Sequence, residues 1–134
     1  MLEYSITAER LGPCGSLAMV RQAEIALDTS LEGRSEAFNP VELLLGALAA
    51  CIIKSAERAV PLLGFDLQSM SVQLHAVRQD TPPRIAAIDY VVTVETDESD
   101  HRLELLHKNI RRYGTISNTL ALALALDGRV TRKS

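Results

Sequence analysis

Residues 39 to 60, NPVELLLGALAACIIKSAERAV, constrain the fold more than any other stretch. Asn39 is a strong N-cap, Pro40 has the fixed φ and missing N–H that suit the first helical position, and Glu42 falls where a carboxylate can reach back to the cap. A helix therefore opens at Asn39. Between Val41 and Ile53 only Glu42 is polar, so the helix is apolar on nearly all sides and must be surrounded by protein. Lys54, Ser55, Glu57 and Arg58 make its last turns more polar. Pro61 cannot continue it without losing a backbone bond, and Gly64 supplies a stop. A chain of 134 residues has little to spare for covering such a helix. A second copy is the natural source, and a homodimer is expected.

The other segments are shorter and more regular. Leu2, Tyr4, Ile6 and Ala8 alternate with Glu3, Ser5, Thr7 and Glu9, the pattern of a half-buried strand over residues 2 to 9. LGPCG is a turn cluster, and SLAMVRQAEIALD, broken at Arg21 and Gln22, reads as two more strands of a meander before the polar loop TSLEGRSEAF. LQSMSVQLHAVR and RIAAIDYVVTVET are long strands joined at QDTPP. DESDHRLELLHKNIRRYG sets Leu103, Leu106, Ile110 and Tyr113 on one helical face, with acids first, cations last and Gly114 as the exit. TISNTLALALAL alternates Leu and Ala, but both are strong helix formers without β-branching and Ser117 is a good cap, so a helix is expected. DGRVTRKS then ends the chain as a turn with a short edge strand. The order is β-β-β-α-β-β-α-α-β in a single domain over residues 1 to 134. Segregated strands and helices imply α+β with antiparallel sheets.

Composition narrows the function. At 47% apolar and 23% charged residues, with 4% aromatic and no Trp, the chain is globular with an aliphatic core. A net charge of −3 and scattered cations give no footprint for a nucleic acid. The longest apolar run, Leu43 to Ile53, is shorter than the roughly 20 residues of a membrane span, and MLEYSITAER lacks the features of a secretion signal. A cytoplasmic location is expected, with no membrane partner. Cys14 and Cys51 make no disulfide framework. Their spacing with His75, His101 and His107 fits no zinc signature, so neither metal nor other cofactor is expected.

Cys51 is the residue with most chemistry in reach. At about 100° per residue, Ser55 lies about 40° and Arg58 about −20° from it, so thiol, hydroxyl and guanidinium share a stripe. A neighbouring Arg favours thiolate, whereas aliphatic burial makes a thiol inert. Both readings stay open. Cys14, in a Pro/Gly turn, is either an incidental surface thiol or a resolving thiol for an oxidised Cys51. Arg10 and Arg21 flank the first hairpin as strand-end charges or as groups for an anion or substrate. Glu42 is a helix-capping carboxylate first and a cleft residue second. The histidines read as structural or solvated. No phosphate loop, hydrolase elbow or paired-carboxylate signature is present.

The string NPVELLLGALAAC, with a Cys twelve residues after the Asn, resembles the OsmC/Ohr family of osmotically induced and organic-hydroperoxide-resistance proteins. GTISNTLA is similar to that family's second motif, Cys-Pro-x-Ser-Asn. The resemblance implies an intertwined α+β homodimer with antiparallel sheets packed around long central helices and sites at the subunit interface. It also implies thiol-dependent reduction of organic hydroperoxides. Cys51 then attacks the peroxide and becomes a sulfenic acid, a second-motif Cys forms a disulfide with it, and an external dithiol resets the pair. An Arg, here matched by Arg21 or else Arg10, holds the thiolate, and a Glu near the helix start holds the Arg.

The chain departs from that pattern twice. Alignment on Ser117 and Asn118 puts Gly114 at the second Cys and Thr115 at its Pro, and alignment on Asn39–Pro40 puts Val41 at the Glu, with Glu42 one residue on. A Cys51 sulfenic acid must then be resolved by Cys14 or by an external thiol reductant. Two functions follow: a hydroperoxide reductase with an altered cycle, or a non-catalytic relative whose apolar dimer cleft binds a small amphipathic ligand or a partner.

Overall fold

A computed structural model describes all 134 residues. The elements run β1 (Thr7–Gly12), β2 (Gly15–Val20), β3 (Ala23–Leu27), α1 (Pro40–Leu63), β4 (Ser69–Gln79), β5 (Arg84–Glu95), α2 (Asp100–Tyr113), α3 (Thr115–Leu120) and β6 (Ala125–Arg132). This is the α+β order predicted. The chain forms two compact units, Met1–Leu44 and Leu45–Ser134.

In the first unit, β1, β2 and β3 make an antiparallel meander with β2 in the middle. Pro13 and Cys14 turn β1 into β2, and Arg21 and Gln22 turn β2 into β3. Arg21 takes a φ of 54°, the positive value that a tight hairpin turn needs at its first central residue. Pairing starts at Thr7 rather than Leu2. Thr7 already faces Met19 near the end of β2, so the residues before it run past their partner strand. Leu2, Tyr4 and Ile6 are consequently exposed instead of half-buried.

The polar loop after β3 is ordered by one carboxylate. Buried Asp28 accepts the Arg34 N–H at 2.8 Å and the Ser30 hydroxyl and N–H at 2.8 and 3.1 Å. The Arg34 N–H, followed by the Ser30 hydroxyl, holds the Asp28 carboxyl below the usual carboxylate range. Arg34 also donates to the Cys14 carbonyl at 3.0 Å, and a Cβ on Gly15 would collide with its guanidinium. The loop leads to α1, which opens as a reciprocal capping box. The Glu42 N–H donates to Asn39 Oδ1 at 2.9 Å, and the Asn39 N–H donates to Glu42 Oε1 at 3.0 Å.

In the second unit α1 turns one stripe inward. Leu48, Ile52, Ala56 and Ala59 are fully covered and meet Ile88, Tyr90, Val92 and Val94 of β5 and Leu103, Leu106 and Ile110 of α2 in one aliphatic core. The opposite stripe, with Ala47, Ala50 and Ile53, is exposed, so a single chain does not surround this helix as its composition demands. Pro61 lies inside the helix, which runs on to the stop that the sequence places at Gly64. Its missing N–H costs a single bond close to the end, and termination waits for Gly64 at φ 59°. There the Phe65 N–H closes back on the Val60 carbonyl at 2.9 Å. α1 has no cation in its own last turn; Arg102 of α2 serves its end instead, donating to the Leu63 carbonyl while Glu98 holds the guanidinium at 3.2 Å.

β5 is the central strand of the second sheet, antiparallel to β4 and parallel to β6. The parallel pair departs from the all-antiparallel expectation. It follows from the connection, because α2 and α3 carry the chain back across the sheet before β6 begins. Tyr113 also departs: it is 46% exposed, while Leu103, Leu106 and Ile110 are buried. The third helix is shorter than its composition suggests, ending at Leu120, and Ala125 and Leu126 already belong to β6. Asp127–Gly128, which reads as a turn, lies within that strand. Gly128 faces Tyr90 across the pair, and any Cβ there would strike the Tyr90 ring.

Candidate functional site

Cys51 sits in the middle of α1, on the flank of its buried stripe, as a free and partly exposed thiol. The segment that meets it is the junction of α2 and α3. α2 ends at Tyr113 and α3 starts at Thr115, leaving Gly114 alone between them with φ −79° and ψ 110°. Any residue can adopt that backbone conformation, so conformational freedom does not explain the glycine. Contact does. A Cβ on Gly114 would stand 2.9 Å from the Ile110 carbonyl, 3.1 Å from Ser117 Oγ and 3.2 Å from Cys51 Sγ.

The junction thus packs directly against the thiol and the Ser117 hydroxyl, too closely for a side chain at position 114 to fit without a shift. Ser117 is 1% exposed and its Oγ has no hydrogen-bond partner. A buried orphan hydroxyl forfeits its hydration without compensation, at a cost of about 1–3 kcal/mol. It does not cap α3, as the sequence suggests, because the cap position falls on Gly114 and Ser117 is already inside the helix. Asn118 is anchored instead to the end of α2, donating to the Arg112 carbonyl at 3.1 Å.

Beside Ser117 opens a cavity of about 460 Å³ that His107, Lys108, Arg111, Arg112 and Asn118 also line. Its charged residues are all cations. On its inner side His107 Nε2 lies 2.7 Å from the Tyr90 hydroxyl, with the rings edge to face. Burial, and then the neighbouring Arg111, push the His107 pKa below its ordinary value despite the opposing pull of Asp127, so the ring is neutral near pH 7. Burial also pushes the Tyr90 phenol up. No group of three or more His, Cys, Asp or Glu side chains is placed to hold a metal ion.

Other residues singled out by the sequence occupy definite places. Glu42 is engaged with the Asn39 N–H as a capping carboxylate. Arg58 is exposed on α1 and makes no hydrogen bond or ion pair within the chain. Arg21 and Cys14 are both exposed, at opposite ends of β2. Seven residue steps of extended chain separate them, about 23 Å, so within one chain they cannot attend the same sulfur together. Arg10 pairs with Ser16 and shares the Cys14 end. The close packing of Gly114 on Cys51, the orphan hydroxyl of Ser117 and the cation-lined cavity have no signature in local sequence.

The fold finds its counterpart in a known family. Residues 33–127 match the family model for OsmC-like protein. The chain belongs to the OsmC-like family. Solved structures agree in fold with the OsmC-like assignment. An OsmC-like protein from Mycoplasma pneumoniae superposes with a TM-score of 0.91 at 21% identity, over 99% of each chain. An organic hydroperoxide resistance protein OsmC from Legionella pneumophila gives 0.72 at 17% over 100% of both chains. The organic hydroperoxide resistance protein OhrB of Bacillus subtilis gives 0.68 at 15% over 98% of both. No curated protein matches the sequence significantly. No helix of this OsmC-like chain is long and apolar enough to cross a membrane.

Proposed function

We propose that this OsmC-like protein reduces organic hydroperoxides with Cys51 as the attacking thiol, and that it works as a homodimer in the cytoplasm. The observation that carries the reading is the contact of Cys51 with position 114. The family resemblance aligns position 114 with a second cysteine, and a side chain there would meet the Cys51 sulfur. Two structural relatives named for organic hydroperoxide resistance support the same chemistry. The exposed Ala47, Ala50 and Ile53 stripe of α1, and exposed Leu2, Tyr4 and Ile6, support a second copy as cover.

The reaction begins with attack of the Cys51 thiolate on the outer peroxide oxygen. The O–O bond breaks, the alkoxide takes a proton and leaves as an alcohol, and Cys51 becomes a sulfenic acid. Arg21 of one subunit or the other is the candidate for holding the thiolate, with Arg10 as its alternative. Cys14 and an external thiol are the candidates for resolving the product.

The glycine at position 114 favours a second reading, in which the apolar dimer cleft binds an amphipathic molecule and Cys51 only packs. Hydroperoxide consumption by wild-type protein and by Cys51→Ser, with a dithiol as reductant, separates the two. Reduction at Cys51 predicts loss of turnover in the variant; equal consumption by both proteins rejects it.

A further inference from the structure

We propose that the cation-lined cavity between the last turns of α2 and the helix α3 is a binding site for a small phosphate monoester. The inference stands apart from the chemistry of Cys51, which does not line this cavity. Charge carries it first. Lys108, Arg111 and Arg112 line the cavity with no carboxylate among them, and none of the three has an ion-pair partner in the chain. Elsewhere in the same unit Arg78, Arg102, Arg132 and Lys133 each hold a carboxylate within 3.6 Å. The carboxyl end of α2 favours cations in its last turn, where Arg111 and Arg112 stand, but Lys108 lies before that turn. Three like charges around one hollow repel each other, and an anion between them relieves the repulsion.

The remaining wall fits the same ligand. Asn118 Nδ2 spends one hydrogen on the Arg112 carbonyl at 3.1 Å and has a second to give. His107 has Nε2 occupied by the Tyr90 hydroxyl, while Nδ1 has no partner in the chain. Asp127, the one carboxylate that acts on His107, does not line the cavity. Guanidinium forks and an ammonium group match phosphate oxygens. A phosphate monoester carries a charge of about −1.5 to −2 near pH 7, closer to the charge of the wall than one carboxylate comes. A volume of about 460 Å³ exceeds the need of the phosphate group alone and leaves space for a small ester.

The test is calorimetric titration of the whole protein with glycerol 3-phosphate at fixed ionic strength, with succinate and acetate as comparison anions. The proposal predicts one molecule bound per chain with Kd below about 1 mM, and at least about tenfold weaker binding of either carboxylate. Lys108 and Arg112 are exposed, so a Lys108→Glu/Arg112→Glu double variant is expected to fold and to bind glycerol 3-phosphate at least about tenfold more weakly. Arg78→Glu/Lys133→Glu changes the net charge equally at a distance from the cavity and should leave Kd within about twofold, because exposed charges beyond a Debye length are screened. In wild type the bound dianion should also move the His107 ring titration, followed by NMR, to higher pH. Cys51→Ser should bind as wild type does, so the site survives a failure of the peroxidase reading. Absence of saturable binding, an unchanged Kd in the first double variant, or an equal loss in the second would overturn the proposal. Succinate binding as tightly as glycerol 3-phosphate would overturn the assignment to phosphate esters.

Discussion

Gly114 and Cys51 are 63 positions apart in sequence, yet a single methyl group added to the glycine would come within 3.2 Å of the cysteine sulfur. The junction of α2 and α3 thereby packs directly against that thiol, and a side chain at position 114 would press on it.

A cysteine at position 114 should therefore find Cys51. The two Cβ atoms of a disulfide lie about 3.8 Å apart, and the only backbone obstacle is the Ile110 carbonyl at 2.9 Å from the new Cβ. Mild oxidation of Gly114→Cys is predicted to remove both thiols from titration and to link peptides containing residues 51 and 114. Two free thiols after oxidation would show that the junction cannot shift enough to bond.

The capping box should carry measurable stability. Asn39→Ala removes the acceptor for the Glu42 N–H and is expected to cost about 1 kcal/mol in urea unfolding. Glu42→Ala removes the reciprocal acceptor, and its effect should be largely absent when Asn39 is already alanine. Additive losses in that double-mutant cycle would show the two bonds to be independent.

Leu106 is fully buried where α2 meets the core of the second unit. Leu106→Ala is predicted to destabilise by about 2–5 kcal/mol. A loss below 1 kcal/mol in the same assay would mean that the surrounding core collapses into the space.

His107 sets a pH dependence. Its folded pKa lies below the unfolded value, so the unfolded chain takes up a proton first as the pH falls. Stability is full above the unfolded pKa of about 6.5, declines as the pH drops from there toward the lower folded value, and levels off beneath it. Unfolding at pH 7.5 and 5.5 should show a loss for wild type that His107→Gln reduces. The lowered Asp28 and Glu98 carboxyls lose their contribution only at more acid pH, which keeps the windows apart.

What could be read in advance follows how local each determinant is. Asn39, Pro40 and Glu42 announce the start of α1 because a cap is made by three adjacent residues, and Gly64 marks its end for the same reason. Pro61 misleads because one missing N–H is tolerable in a last turn. The start of β6 escapes notice because its strand conformation comes from an eight-residue ladder with β5, far away in sequence, which overrides the helix preference of Leu and Ala there. Gly128 resembles a turn residue until the Tyr90 ring that needs its space is seen. At the site, the family resemblance singled out Cys51 and Gly114, but only the tertiary packing of α1 against the α2–α3 junction explains the glycine. Ser117, a serine like any other in sequence, stands out only because its hydroxyl is buried alone.

The direct trial of hydroperoxide reduction at Cys51 is peptide mass spectrometry of the reduced protein after one equivalent of cumene hydroperoxide, with a sulfenic-acid trap present. Rapid trapping at Cys51, with Cys14 unmodified or joined to it, is the predicted result. A Cys51 that stays a free thiol while the peroxide persists would contradict it and leave the residue as part of the packing of α1.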